Sequence, residues 1–373
     1  MKNNKIYMTI YEQVKQDIIE GRYKKGSKLP SKRVMAEAMG VSVITIEHAY
    51  ELLDEEGYIV SKQKSGYYVT FDDNDIYYVK NENDRGSLLG IDKDPKPESG
   101  RPIDVSDHLD NERNGEPEIS VDLYSKTVRR VLSEYGERVM KRSPMNGVDE
   151  LRAAIAGYLD RGRRMRVSKD QIIIGAGAEY IYGLLVQTFG REVTFAIESP
   201  SYQKIAKVYE SGGAKLRMLR LGKDGIESKA LWNSDAQILH ITPYRSFPSG
   251  VTASASKKRE YLRWSDQKDA IIIEDDFESE FTPSRKPEET LFSLDQNGRV
   301  IYVNTFTRTI GSYIRVAYMV IPERLMDRFR QKVGFYECPV PALDQYIILS
   351  LLENGDFERH INRVRRYNRS KYL

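Results

Sequence analysis

Apolar residues recur at helical spacing from the start of the chain. Ile10, Val14 and Ile18 fall at i, i+4 and i+8 and predict one face of a helix that stops at Gly21. A second helix is expected from Ser31, whose hydroxyl can cap free N–H groups, with Val34, Met35 and Ala38 inward and Gly40 as its stop. A third is capped by Ser42, buries Ile46, Ala49, Tyr50 and Leu53, and ends at Gly57. The run "YIVSKQKSGYYV" (58–69) then sets two β-prone segments around a Lys/Gly turn, a hairpin signal. Helices with a tight turn between the second and third, followed by a basic hairpin, predict a winged helix-turn-helix over residues 1–75.

Residues 76–117 are rich in charge, Gly, Pro and Asn without a sustained period, which is the composition of a linker. Over 118–373 helical stretches (122–135, 149–160, 178–188, 202–212 and 256–267) alternate with apolar runs beginning near 171, 193, 236, 270 and 300. That alternation predicts an α/β fold with a mainly parallel sheet. Between the strand-like runs "VIYV" (300–303) and "VAYMVIP" (316–322) lies "NTFTRTIGSYIR", dense in threonine and arginine. It sits at the mouth of the sheet, where α/β proteins place their ligands. The basic tail at 359–371 is expected to be one solvated helix face.

Composition narrows the function classes. A formal net charge of +3 over 373 residues is too mild to imply nucleic acid by itself, so a basic patch has to be local. The single cysteine, Cys338, excludes an internal disulfide framework and a Cys-rich metal site, fits a reducing cytoplasm, and leaves no metal to expect. The N-terminal pattern lacks the apolar core of a signal peptide, and no run is long enough to span a bilayer. A cytoplasmic protein without a membrane partner is expected.

The segment "KLPSKRVMAEAMGVSVITIEHAYELLDEEGYIVSKQKSGYYV" (28–69) closely resembles the DNA-binding domain of the GntR family. The resemblance implies double-stranded DNA as partner. Ser31, Lys32 and Arg33 would meet phosphates at a helix N-terminus, where N–H groups and cations favour an anion. Ser42, Thr45 and His48 would face the major groove, while Lys62, Lys64 and Gly66 would put the wing beside the backbone. Val43 stands where the family often has arginine, which implies fewer phosphate contacts or a different base preference.

"MNGVDELRAAIAGYL" (145–159), "GAGAEYIYGLL" (175–185), "ESPSYQKIAKVYESGG" (198–213), "TPYRSFPSG" (242–250) and "IIEDDFESEF" (272–281) resemble fold-type I aminotransferases. The version they resemble follows a GntR domain in MocR/GabR-type regulators. Members hold pyridoxal phosphate, whose aldehyde needs a lysine tether, whose ring nitrogen needs an acid, and whose phosphate needs N–H groups, hydroxyls and a cation. Carried across, Gly177, Ala178 and Glu179 lie at the phosphate-binding helix start and Tyr202 on or beside the ring. Asp275 matches the acid, and Thr305, Thr307 and Arg315 match the phosphate side.

Departures from the family pattern follow. Arg308 occupies the Schiff-base lysine position, and a guanidinium stays protonated and is no amine nucleophile. Phe277 replaces a tyrosine that hydrogen-bonds the ring oxygen, and "YRS" (244–246) replaces serine-histidine-glutamine. The final stretch from 356 resembles the helix before the family's small C-terminal domain, so an aminotransferase-like domain truncated at its C-terminus is expected over 118–373.

The resemblance therefore implies a homodimeric transcriptional regulator with a degenerate sensor pocket. Pyridoxal phosphate there is either held without a covalent tether or lost, and the pocket stays open to a small anionic effector. The alternative is a pyridoxal-phosphate-dependent aminotransferase with a secondary DNA-binding domain, and the missing lysine speaks against it.

Overall fold

The computed structural model describes residues 3–55, 58–62, 65–71, 119–282 and 289–371. The expected linker at 76–117, the stop at Gly57 and the wing residue Lys64 lie outside the described residues. The N-terminal unit is built from α1 (Asn3–Ile19), α2 (Lys32–Met39), α3 (Val43–Glu55) and the antiparallel hairpin β1 (Ile59–Lys62) and β2 (Gly66–Val69). Ile10, Val14 and Ile18 of α1 meet Ile46, Ala49, Tyr50 and Leu53 of α3 in one buried core. The hydroxyl of Ser31 accepts from the Val34 N–H at 3.3 Å, and Gly40 closes α2 at φ 65°, a left-handed turn that glycine adopts without steric cost.

One expectation fails in α2. Met35 and Ala36 turn inward, whereas Val34 is 56% exposed and Ala38 also faces solvent. A helix of eight residues makes little more than two turns, so only a narrow stripe can meet α3, and the Met35 side of it does.

The large unit contains the longer helices α4 (Val121–Tyr135), α5 (Asp149–Arg163), α6 (Ala178–Phe189), α7 (Gln203–Ser211), α8 (Ala255–Lys268), α9 (Glu323–Val333), α10 (Ala342–Glu353) and α11 (Asp356–Lys371), besides short helical turns at Ser228–Trp232, Leu291–Leu294 and Phe306–Thr309. Its strands are β3 (Ile172–Gly175), β4 (Thr194–Ser199), β5 (Lys215–Gly222), β6 (Gly225–Ile226), β7 (Ile238–Ile241), β8 (Ile271–Asp275), β9 (Val300–Thr305) and β10 (Ala317–Val320). They form an eight-stranded sheet in the order β3-β10-β9-β8-β7-β4-β5-β6. The run from β9 to β5 is parallel, while β10 pairs antiparallel with β9 and β3, and β6 antiparallel with β5.

Side chains alternate between two cores. Ile172 and Ile174 face one and Ile173 the other; Tyr318 and Val320 oppose Ala317 and Met319 in the same way. Burial on both faces explains why these strands read as continuous apolar runs. The carboxyl ends of β3, β4, β7, β8 and β9 all reach one edge of the sheet, which gathers the loops beyond them.

α11 keeps the expected solvated face, with Arg359, Arg363 and Arg366 exposed, and adds a buried one. Phe357, Ile361 and Val364 are buried beneath its arginines, and Arg365 Nε donates to the Glu280 carbonyl at 2.6 Å. The helix is amphipathic, with an apolar face at helical spacing that composition alone concealed.

The two units touch. Lys15 of α1 pairs with Glu289, to which the Tyr58 hydroxyl also donates at 3.5 Å, and Lys258 Nζ donates to the Glu289 carbonyl at 2.7 Å. Arg164 pairs with Glu12, and Arg259 lies over the Phe71 ring at 5.9 Å. Among the described residues no helix is long and apolar enough to cross a membrane.

Candidate ligand pocket and nucleic-acid interface

At the carboxyl edge of the sheet lies a cavity of about 220 Å³. Gly177, Ala178, Glu179, Tyr202, Asp275, Phe277, Thr305, Thr307, Arg308 and Arg315 all line it, so residues scattered over the chain are brought together around one cavity.

One side of the cavity suits an anion. α6 begins at Gly177, whose φ of 89° suits glycine, and no side chain caps its first-turn N–H groups. A Cβ on Gly177 would stand 3.4 Å from Arg315 Nη2, so the glycine also lets the guanidinium close in on the helix start. Glu179 is bracketed by Lys204 at 3.2 Å and Arg315 at 3.7 Å. Thr305 Oγ1 accepts from the Thr307 N–H at 3.1 Å, and Thr307 Oγ1 donates to the Ile314 carbonyl at 2.8 Å, which fixes this threonine-rich turn.

The other side suits an aromatic ring with a basic nitrogen. Asp275 ends β8 and is buried; Tyr182 donates its hydroxyl to it, and His240 Nε2 lies 3.5 Å away. The Tyr209 hydroxyl is 2.6 Å from His240 Nδ1. Burial holds both phenols well above their usual range, with Asp275 adding to the effect, so each remains an O–H donor. Phe277, Tyr202 and Phe247 supply the apolar walls, the last two edge-on at 6.1 Å.

The neighbouring acids point elsewhere. Asp276 pairs with Arg163 at 3.1 Å and accepts the Tyr302 hydroxyl at 2.8 Å. Glu274 accepts the N–H groups of Leu291 and Phe292 at 2.7 and 2.9 Å. Consecutive strand residues face opposite sides, so only Asp275 reaches the cavity.

Arg308 lies largely buried against the cavity, with Nη2 3.4 Å from Glu278 Oε1 and its guanidinium 5.0 Å from the centre of the Phe281 ring. Arg245 stands 3.6 Å from the other Glu278 oxygen. Lys204, which the sequence motifs did not single out, lines the same cavity from α7. Burial would lower the Lys204 pKa, but the hydrogen bonds to Glu179 and Tyr202 outweigh it and raise it. Its amine is an ammonium held on the anion side. Also missed were Tyr182, Thr242, Phe247, Ser312 and the supporting His240. The signals available were the quoted motifs that hold Tyr182, Thr242 and Phe247, and a histidine inside the apolar stretch "ILHI" (238–241).

In the N-terminal unit, Ser31 is spent on capping α2, Lys32 pairs with Glu47, and Arg33 is exposed. Ser42 and Thr45 share a hydroxyl contact of 2.8 Å at the start of α3, and His48 meets the Tyr7 ring edge-on at 5.8 Å. Lys62 lies 4.5 Å over the Tyr68 ring, and Gly66 at φ 110° opens β2.

Residues 6–69 match the bacterial regulatory proteins of the gntR family, and residues 124–372 match aminotransferase class I and II. The chain is 30% identical over 366 residues to the uncharacterized HTH-type transcriptional regulator YdeL of Bacillus subtilis (strain 168), spanning 98% of this chain and 77% of that protein. It is 28% identical over 368 residues to the probable rhizopine catabolism regulatory protein MocR of Rhizobium meliloti, spanning 97% and 74%. Among solved structures it is similar in fold to an archaeal alanine:glyoxylate aminotransferase, with a TM-score of 0.61, 24% identity and 69% of each chain covered.

Proposed function

We propose a function from one premise: the chain belongs to the MocR-type transcriptional regulators, in which a GntR-family DNA-binding domain is joined to a class I and II aminotransferase domain. It is a DNA-binding transcriptional regulator whose large domain senses a ligand without transaminating it. The DNA-binding domain is assigned to 1–75, the linker to 76–117 and the sensor to 118–373. The protein acts in the cytoplasm as a homodimer, since one recognition helix and wing supply the contacts of a single half-site.

What supports the sensor reading is Arg308, which lines the cavity paired with Glu278, at the position that the resemblance matches to the family's tethering lysine. The donor set fits pyridoxal phosphate except at that tether and at Phe277, whose ring offers no hydrogen bond to the cofactor's ring oxygen. Bound, this cofactor supplies an aldehyde and a ring that draws electrons when its nitrogen is protonated. The first turn of α6, Thr305, Thr307, Lys204 and Arg315 would hold its phosphate, Tyr202 and Phe277 would flank its ring, and Asp275 would meet its nitrogen. With Arg308 charged and Lys204 held as an ammonium by Glu179, neither side chain offers a free amine. Ligand exchange is then reversible, as a sensor requires.

The test adds pyridoxal phosphate, measures uptake by calorimetry, then reduces with borohydride and maps adducts by mass spectrometry. The parent should bind without a stable adduct, and Arg308→Lys should gain one at position 308. An adduct on Lys204 of the parent, or sustained keto-acid production, would favour the enzyme instead. Uptake by neither protein would remove the cofactor from this reading.

A further inference from the structure

We propose that Val43 and Ile44 read the 5-methyl groups of thymine in the major groove, so that apolar contacts at the start of α3 set the sequence preference of this chain. The inference rests on the DNA-binding function and adds the base feature recognised.

α3 opens with the β-branched run Val43, Ile44, Thr45, Ile46, a poor helix start because such side chains lose rotamer freedom there. Core packing accounts for Ile46 alone, which is 0% exposed; Val43 is 40% exposed and Ile44 62%. Both protrude from the first turn, while the core-facing side of the helix carries Ala49, Tyr50 and Leu53. The polar groups around them are already engaged. Ser42 Oγ lies 2.8 Å from Thr45 Oγ1 and accepts the Thr45 N–H at 3.2 Å, Glu47 holds Lys32, and His48 packs on Tyr7. The surface that this first turn offers to a groove is therefore aliphatic.

Its surroundings decide the occupant. The turn is part of the helix-turn-helix interface, and the exposed cations Lys28, Arg33 and Lys62 belong to the same domain, so the complementary surface is a polyanion. In the major groove of duplex DNA thymine alone presents a methyl group, and apolar side chains recognise it by contact. Local propensity and burial both argue against these residues at this place, which is the pattern expected where function overrides folding.

The test begins with selection of binding sites from a randomised duplex pool by the full chain at fixed salt. In the selected half-site each thymine is replaced by deoxyuridine, which pairs identically and lacks only the methyl. At one or two positions the parent should lose about fourfold in affinity per methyl, the value for removing one buried carbon. The double variant Val43→Ala, Ile44→Ala should bind both duplexes alike, with its melting temperature kept because alanine is the better helix former. Parent affinity indifferent to the methyl groups, or a variant that still loses affinity with deoxyuridine, would overturn the proposal while leaving DNA binding intact. Enrichment of no sequence at all would instead remove the DNA-binding function, and the proposal with it.

Discussion

Glu198 offers a measurement of what the interior beside the cavity costs a charge. It lies at the end of β4, accepts the Ser246 hydroxyl at 2.6 Å, and is pushed from an ordinary value near 4.5 up to about 7 by burial, against the opposing bonds from Ser246 and the Thr242 N–H. The folded carboxyl therefore holds its proton more tightly than the unfolded one. Its contribution to stability is fully present below about pH 4.5 and lost as pH rises through about 7. Between pH 5.5 and 8.5 the linkage amounts to about 2 kcal/mol. Glu198→Gln removes the titration and keeps an acceptor for Ser246. Urea unfolding of parent and variant at both pH values gives two stability differences, and the variant should gain about 2 kcal/mol on the parent at the higher pH. Subtraction cancels the other titrating groups, including Glu274, which burial also pushes up to about 7. A difference that does not change with pH would refute the reasoning and show Glu198 ionised throughout.

At the anion side of the cavity, Arg315→Ala should weaken pyridoxal phosphate about tenfold by calorimetry, the lower end for one charge-assisted contact because the guanidinium is half exposed. Unchanged affinity would reduce Arg315 to a partner of Glu179. Arg33→Ala should weaken binding to every duplex alike and lower the salt slope by about one, read from gel shifts at several salt concentrations; parent-like slopes would remove the start of α2 from the interface. Lys15→Ala strips the ammonium from Glu289 across the two units and should cost on the order of 2 kcal/mol, seen as a lower melting temperature. A melt identical to the parent's would mean that the contact contributes nothing to docking.

What the sequence determined by itself was whatever depends on near neighbours in the chain. Ser31 and Gly40 delimit α2 because capping and left-handed closure are local, and the apolar runs become strands because burial on both faces needs no polar alternation. The pocket residues that could be named came from the family resemblance of the quoted motifs, which also hold Lys204, Tyr182, Thr242 and Phe247, left unnamed. Tertiary structure decided the remainder: that Met35 and not Val34 meets the core, that Lys204 and Arg315 close on Glu179 from separate elements, and that Tyr182, His240 and Tyr209 converge on Asp275. These groups lie tens of residues apart and carry no shared period. Only the parallel sheet, by ending its strands along one edge, brings them within hydrogen-bonding range.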